Sequence, residues 1–410
     1  MLFRSNIKRR KLFLILSLIA NLGVLIYFKY TNFFYQLFCD SCAIEYTSFD
    51  IFLPVGVSFF TFQSLSYTID IYRGNIKPVN HILDYAFYLS FFPQLVAGPI
   101  VRAVDFIPQI NKKVIVTKEI LGRGIFLIAG GLFKKAVIAD YISANFVDRI
   151  FETPLLYSGL ENLVGVYGYA LQIYCDFSGY SDMAIGIALL MGFHFNINFD
   201  SPYQSKNITE FWRRWHISLS SWLKDYLYIS LGGNRKGKVI TYVNLFITML
   251  LGGLWHGAAL RFILWGAMHG MALVIHKFFL SFTLKPSAGF GKFTWLSKLT
   301  GVFITFNFVC FCWIFFRAEN MEIAGNLLSQ IFTNFNPSIF VEFVIGYKTV
   351  MIIMLVGYVL HFLPKSSENF VENWVTQRHW TIQTAILLVV VLILIQFKSA
   401  EIQPFIYFQF

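Results

Sequence analysis

Charge is scarce in this sequence, because only 13% of its 410 residues are Asp, Glu, Lys or Arg, whereas 57% are hydrophobic. An average soluble domain carries about 25% charged residues, so this composition excludes a chain whose surface lies mainly in water. Apolar runs near the length that crosses a hydrocarbon core of about 30 Å recur along the whole sequence. Alternating segments of about ten residues, which a transmembrane β-barrel requires, are absent from it. The composition therefore predicts bilayer-spanning helices.

Cysteine is scarce as well, with five residues in the chain. Cys39 and Cys42 form a C-x-x-C pair, but no second pair supplies the remaining ligands of a zinc site, which leaves a disulfide in a loop as the alternative. Cys310 and Cys312 lie in the apolar run 302–316, where small buried thiols are ordinary. We therefore expect no metal centre.

Several motifs of well-known enzyme classes are missing. The sequence contains no G-x-S-x-G elbow, no H-E-x-x-H and no spaced carboxylate pair suited to glycosidase chemistry. Gly232-x-x-x-x-Gly237-Lys238 has the spacing of a P-loop, but Val239 stands where Ser or Thr must bind magnesium, and no strand precedes it. These differences exclude an ATPase of the P-loop class.

Basic residues cluster between the apolar runs, and the net charge is +11. Such clusters mark cytoplasmic loops and attract anionic lipid headgroups, although phosphorylated substrates would use the same charges. Arg9, Arg10 and Lys11 precede the first run, 12–28, and no small-residue cleavage site follows it, which predicts a retained anchor with a cytoplasmic N-terminus. Further predicted spans, making about ten in all, are 52–72, 120–146, 160–175, 183–195, 239–255, 260–279, 302–316, 344–363 and 382–397.

One apolar segment, 85–97, is too short for a full crossing. It contains Phe92-Pro93 and runs into Gly98-Pro99, which predicts a broken or re-entrant helix. The predicted fold is one all-α membrane domain, 1–410: a polytopic integral membrane protein with about ten transmembrane helices plus interfacial and re-entrant helices.

The segment 201–238 is polar and basic, and its apolar residues recur at helical spacing. This pattern predicts an amphipathic helix at the membrane interface, capped by Asn207 or Thr209 and ended by Gly232-Gly233. One interpretation is a surface anchor. The other is a functional segment, because a titratable imidazole, His216, lies on the apolar side and the loop after Gly232 offers basic side chains to a phosphorylated donor. The apolar face consists of Phe211, Trp215, Leu219, Trp222 and Tyr226.

Two histidines, His256 and His269, lie in the apolar segment 250–270. Ionisable residues at membrane depth are costly and are often functional, and nearby glycines at 252, 253 and 257 allow a close approach of backbone or ligand. The alternative is a neutral histidine that is hydrogen-bonded between helices. Along one continuous helix, thirteen residues would separate the two imidazoles by about 20 Å, so we expect them to belong to different sites.

A histidine base suits acyl transfer, because a hydroxyl attacks poorly near neutral pH unless its proton is removed during the attack. Asp176 and Asp182 are also unusual at membrane depth. Their Ser, Tyr and Gly neighbours favour hydrogen bonds between helices at least as much as catalysis.

Four long motifs together resemble the membrane-bound O-acyltransferase family, and within it the branch that contains the membrane subunit of alginate O-acetyltransferase. In sequence order they are FFPQLVAGPIVRAVDFIPQ, YCDFSGYSDMAIGIALLMGF, ITEFWRRWHISLSSWLKDYLYISLGGNRKGK and LLGGLWHGAALRFILWGAMHG. The likeness runs from about Lys11 to the C-terminus, and several motifs in one order are more specific than any single pattern. It implies a helical membrane fold with a tunnel or paired funnels, a cytoplasmic acyl donor and an acceptor reached from the outer face.

The resemblance also assigns roles to individual residues. The family's catalytic histidine corresponds to His256, which we expect to act as general base, with an acyl-histidine intermediate left open. Its second motif histidine corresponds to His216, which would orient donor or acceptor. The implied donor is acetyl-CoA, a substrate and not a bound cofactor, and the candidate donor-binding residues are Arg213, Arg214, Trp255, Asn234, Arg235 and Lys236.

The same resemblance implies partners and a location. We expect an extracytoplasmic acyl-accepting protein, a polysaccharide acceptor such as alginate or another cell-envelope polymer, membrane lipids, and no nucleic acid. The protein would be a multi-pass protein of the bacterial inner membrane.

Two alternatives stay open from the sequence. Within the family, the protein would transfer D-alanyl groups to teichoic acid. Outside it, a proton-coupled transporter would use His256 and Asp176 as a relay, which leaves the basic loop after Gly232 unexplained.

Overall fold

A computed structural model describes residues 7–54, 56–95, 98–282 and 294–397, and in these ranges the chain is helical and contains no strand. Three short 3₁₀ turns also occur, at Pro154–Leu156, Pro202–Gln204 and Pro337–Ile339. The α-helices are α1 Ile7–Leu25, α2 Thr31–Cys42, α3 Val57–Arg73, α4 Ile82–Ser90, α5 Phe92–Leu95, α6 Ala103–Ile110, α7 Lys118–Leu132, α8 Asp140–Ile142, α9 Asp148–Glu152, α10 Gly159–Leu190, α11 Ile208–Arg214, α12 Ile217–Trp222, α13 Lys238–His256, α14 Leu260–Leu280, α15 Thr294–Arg317, α16 Met321–Thr333, α17 Phe340–Gly346, α18 Lys348–Phe362, α19 Lys365–Gln377 and α20 Trp380–Phe397. The all-α class is confirmed.

Within the residues that the structure describes, four helical stretches are long and apolar enough to cross a membrane. A fifth is added if α17 and α18, which meet at a bend of 95°, count as one span. The expected number of about ten crossings is therefore not confirmed. The four stretches are Arg9–Cys42, Lys238–His256, Leu260–Leu280 and Trp295–Arg317.

Two of the predicted spans, 160–175 and 183–195, are wrong as separate elements. Helix α10 runs without interruption from Gly159 to Leu190, because the polar stretch between them contains no proline and tolerates its one glycine, Gly179. Its 32 residues make it about 48 Å long at 1.5 Å per residue. The broken helix predicted at 85–97 is confirmed as far as Leu95, since α4 ends at Ser90 and α5 begins at Phe92, and residues 96–97 lie outside the described ranges.

Glycines allow α7 and α10 to pack with their backbones in contact. A side-chain carbon on Gly131 would lie 2.5 Å from the carbonyl oxygen of Gly179, and one on Gly179 would lie 2.7 Å from that of Gly131. Small residues of this kind let membrane helices approach closely. As a result, the π-helical segment that follows α7, Phe133–Ala139, packs against the middle of α10.

A second tight crossing joins α13 and α14. Gly253 faces Gly266, and a side-chain carbon on either would lie about 3 Å from the Cα atom of the other. Gly257 ends α13 in an extended conformation, and α14 begins three residues later at Leu260. The two helices therefore form an antiparallel hairpin, and the main hydrophobic core lies where this hairpin meets α10, α11 and α15.

Candidate functional site

The segment 201–238 is not one interfacial helix, and that prediction is wrong. Asn207 caps α11, as predicted, by accepting a hydrogen bond of 2.9 Å from the backbone N–H of Glu210. The helix stops at Arg214, because His216 adopts a left-handed backbone with a φ of 44°. A new helix, α12, then leads into a π-helical turn, Leu223–Tyr228.

The apolar face of this segment packs against other parts of the protein. Phe211, Trp215, Leu219, Trp222 and Tyr226 are all buried against neighbouring helices. A periodic apolar face indicates only that it packs against an apolar environment, which can be lipid or protein. Here that environment is protein. The surface-anchor interpretation is therefore wrong, and His216 is carried into the interior.

Asn198 holds the backbone that directly follows His216. Its backbone carbonyl accepts the N–H of Ile217 at 2.9 Å, and its side-chain Oδ1 accepts the N–H of Ser218 at 3.1 Å. Left-handed backbone at a non-glycine residue is unfavourable and persists only where surrounding contacts hold it. Asn198 is a site residue that the sequence analysis missed.

The same amide fixes the protonation of His216. Oδ1 of Asn198 accepts hydrogen bonds, so Nδ1 of His216, 3.2 Å away, must donate to it. The proton of the neutral ring therefore sits on Nδ1, and Nε2 keeps its lone pair. That Nε2 is buried and has no hydrogen-bond partner among the residues that the structure describes. Burial lowers the pKa of the His216 imidazole to about 3, so the ring is neutral at physiological pH.

His256 is the last residue of α13 and lies under a shell of aromatic rings. Its side chain is 5% exposed. The ring centroids of Trp255, Trp265 and Phe316 lie 5.0, 5.1 and 5.2 Å from that of the imidazole. These three residues come from α13, α14 and α15, so three helices enclose the candidate base.

His269 lies on α14 and shares the aromatic neighbour Trp265 with His256, and that the two imidazoles belong to different sites stays a prediction. The premise of a continuous helix was wrong, because the hairpin at Gly257 brings α14 back along α13. His269 packs on Trp265 with a centroid distance of 4.7 Å, and its Nδ1 accepts the indole N–H of Trp212 at 3.3 Å. His216 lies beside Trp255, the residue before His256, with the ring centroids 6.4 Å apart.

Two residues of the first helical stretch, Lys29 and Tyr30, hold the end of α13. The Lys29 ammonium donates to the carbonyl oxygens of Trp255 at 2.5 Å and His256 at 3.0 Å, and the Tyr30 hydroxyl donates to that of Leu254 at 2.8 Å. The last carbonyl groups of a helix lack hydrogen-bond partners within it, and a cation there also interacts favourably with the negative end of the helix dipole. No local sequence pattern predicts this contact, since its partners lie more than 220 residues apart.

The candidate donor-binding residues do not form one group. Arg213 is exposed, whereas Arg214 pairs with Glu210 at 2.9 Å. Trp255 is buried and stacks on Phe62 with the ring centroids 5.1 Å apart.

Asn234, Arg235 and Lys236 are exposed in the turn that precedes α13. Because His256 ends this 19-residue helix, about 27 Å of helix separates the basic turn from the imidazole. The structure therefore does not bring these three residues to His256.

The two aspartates of α10 pair with lysines. Asp176 Oδ1 lies 2.5 Å from Nζ of Lys135, and Asp182 pairs with Lys134. Links between helices were predicted here, but their partners are cations and not the neighbouring Ser, Tyr and Gly residues.

The C-x-x-C pair lies on helix α2 and not in a loop. Both thiols are free, with Cys39 buried and Cys42 exposed. The alternative of a loop disulfide is therefore wrong for this structure.

Comparison with known proteins identifies the family. The family model of the membrane-bound O-acyltransferases matches residues 75–318, which include both His216 and His256. A relative from Pseudomonas aeruginosa named "Probable alginate O-acetylase" is 46% identical over 78% of this chain and 60% of its own length. The peptidoglycan O-acetyltransferase of Helicobacter pylori is 38% identical over 93% of this chain and 74% of its own length.

A more distant relative is the teichoic acid D-alanyltransferase of Bacillus subtilis, 30% identical over 65% of this chain and 69% of its own length. The chain spans about 60% of the length of the alginate relatives that it matches. The match of the family model covers more than half of the sequence. The chain belongs to the membrane-bound O-acyltransferase family.

Proposed function

We propose that this protein is a membrane O-acetyltransferase that moves an acetyl group from acetyl-CoA toward an extracytoplasmic polysaccharide, with His256 as general base. The observation that carries the proposal is a buried imidazole at the end of α13, enclosed by three helices and accompanied by a second, tautomer-fixed imidazole at His216. Relatives named for O-acetylation of alginate and peptidoglycan support the acetyl group and the polymer class.

The proposed reaction needs one proton acceptor. His256 takes the proton of the acceptor hydroxyl while the oxygen attacks the thioester carbonyl. The carbon–sulfur bond breaks, the ester forms, and the thiolate takes up a proton to leave as free CoA. Because His256 is nearly fully buried, the proposed reaction requires both substrates to reach it through the protein interior, where little water would compete for the acetyl group.

The proposed geometry of transfer follows the family resemblance. Acetyl-CoA would enter from the cytoplasm, and the acetyl group would pass to a partner protein or polymer on the outer side of the bacterial inner membrane. His216, with the lone pair of Nε2 free of protein partners in the described residues, would accept a hydrogen bond from the donor or acceptor.

A labelling experiment tests this function. Membranes containing the protein are incubated with acetyl-CoA labelled in the acetyl group, and label is sought on polymer, on partner protein and on the chain itself. We expect label transfer that requires the protein. Consumption of D-alanyl carrier protein in place of acetyl-CoA would favour D-alanyl transfer to teichoic acid, a second candidate supported by the teichoic acid relative. Substrate flux without chemical change would favour a transporter.

Asn198 gives a prediction about the second imidazole, because it fixes the tautomer of His216. We expect Asn198→Ala to lower kcat about tenfold or more with a smaller effect on KM, by analogy with metal-ligating histidines, for which loss of the orienting partner costs about 10–100-fold. Asn198→Asp keeps the acceptor oxygen but adds a negative charge, which raises the pKa of His216. Its kcat should therefore begin to fall at a higher pH than that of the wild type as the solution is acidified.

Asn196→Ala, two residues away at an exposed amide, is the matched control and should behave like the wild type. A purely structural role for Asn198 would lower the amount of folded protein without moving the pH profile. An unchanged kcat in Asn198→Ala would rule out the positioning role.

A further inference from the structure

A cavity of about 310 Å³ lies between α7, α10, α18 and α19, and its lining does not include His216, His256 or His269. Its walls are mostly apolar, with Phe126, Phe133, Leu360 and Val371 among them. The volume is at the lower end of the range of small-molecule sites, about 300–1,000 Å³. The cavity can therefore hold part of an apolar ligand.

One polar side chain on this lining, His361, has an unsatisfied donor. Its Nε2 accepts the backbone N–H of Tyr203 at 3.1 Å, so the proton of the neutral ring sits on Nδ1. The residue is 5% exposed, and Nδ1 has no hydrogen-bond partner within the part of the chain that the structure describes. A buried N–H without an acceptor is unfavourable, which points to an acceptor supplied by a ligand.

The charges on the lining define the kind of acceptor. Lys134 pairs with Asp182, and Glu368 pairs with Lys365 at 2.8 Å. Each charged side chain of the lining thus has an opposite charge beside it, so the cavity favours an uncharged acceptor over an anion.

We propose that this cavity binds one acyl chain of a membrane glycerolipid, whose ester carbonyl oxygen accepts the hydrogen bond of His361 Nδ1. An ester carbonyl is an uncharged acceptor at the end of an apolar chain, which matches an apolar cavity with one donor. The chain contains several helices suited to crossing a membrane, so glycerolipids surround it.

Gly130 offers a way to fill the cavity. It lines the cavity on α7, and a side-chain carbon added there would meet no atom within 4 Å. Gly130→Phe should therefore place a ring in the cavity without moving the backbone, and Gly130→Ala is the matched control. Gly357 also lines the cavity but is unsuitable, because an added carbon would lie 2.7 Å from Leu171 Cδ2.

The test uses nanodiscs that contain phosphatidylethanolamine with a photoreactive group in one acyl chain. After irradiation, mass spectrometry locates the lipid on peptides. We expect labelling of the lining segments 126–138 and 357–371 in the wild type and in Gly130→Ala, and its loss in Gly130→Phe. Labelling at Val243, an exposed residue of α13, reports bulk lipid and should be equal in all three.

A second arm needs no variant and tests the polar contact directly. The same lipid with an ether link in place of the ester lacks the carbonyl acceptor. We expect its labelling yield on the lining segments to be lower by at least about fivefold. Equal labelling by ester and ether lipids, or cavity labelling that persists in Gly130→Phe, overturns the proposal. Absence of cavity labelling in the wild type, as for a cavity that holds only water, overturns it as well.

Discussion

Replacing His256 by alanine is expected to abolish acyl transfer while the protein stays inserted and folded in the membrane. General base catalysis contributes about 10²–10⁴-fold to rate, so turnover should fall at least about 100-fold. His256 ends α13, and the backbone carbonyls of this helix end are held by Lys29 and Tyr30, contacts that the substitution keeps. The measurement is acetyl transfer by purified membranes with equal amounts of protein.

Two further variants separate chemistry from packing. His256→Gln keeps most of the side-chain volume but cannot accept the proton near neutral pH, so it should be as inactive as His256→Ala. His379→Ala removes an exposed imidazole at the start of α20 and should keep full activity. Turnover like that of the wild type in either His256 variant would dismiss the base assignment, whereas loss in all three would indicate a defect of assay or insertion.

The sequence predicted the class of the fold and the residues of the motifs, because both depend on local composition. Long apolar runs require helices in lipid, and Asn207 precedes a helical pattern in the way that a capping residue does. His216 and His256 were identified as candidates from motifs that are continuous in the sequence.

The arrangement of these residues could not be predicted from the same patterns. The break at His216 depends on Asn198, 18 residues earlier, while the apolar spacing on both sides of it continues as in one helix. The hairpin between His256 and His269 depends on the extended Gly257, and glycine in an apolar run also fits an unbroken membrane helix. The caps from Lys29 and Tyr30 depend on tertiary packing alone.

The adjacent lysines of the predicted span 120–146, Lys134 and Lys135, show the same limit of prediction from local sequence patterns. Two adjacent lysines in an apolar run give no indication of their partners. In the structure Nζ of Lys135, on a side chain only 9% exposed, lies 2.5 Å from Asp176 Oδ1 and 2.6 Å from Asp140 Oδ1. The ammonium group of Lys135 therefore forms ion pairs with two carboxylates and links the π-helical segment to α10.

Lys135→Met is expected to destabilise the protein by about 3–5 kcal/mol, the cost of breaking a buried ion pair from one side. The carboxylate of Asp176 is 4% exposed and would lose this cation where water cannot replace it. The free energy of unfolding, measured by denaturant titration in detergent, reports the change. Arg123→Met is the matched control, because Arg123 is 53% exposed in its pair with Glu372 and such pairs contribute about 1 kcal/mol or less.

The double variant Lys135→Met/Asp176→Asn distinguishes an uncompensated charge from a lost packing contact. If the cost comes from the carboxylate left buried, replacing Asp176 by its neutral isostere should recover a large part of the lost stability, since a buried ion pair adds little beyond the desolvation that it offsets. Equal stability of the single and double variants would mean that the aliphatic stem of Lys135 and the backbone of the π-helical segment carry the effect. In that case the α7–α10 contact would depend on the glycine crossing at Gly131 and Gly179 and not on the charges beside it.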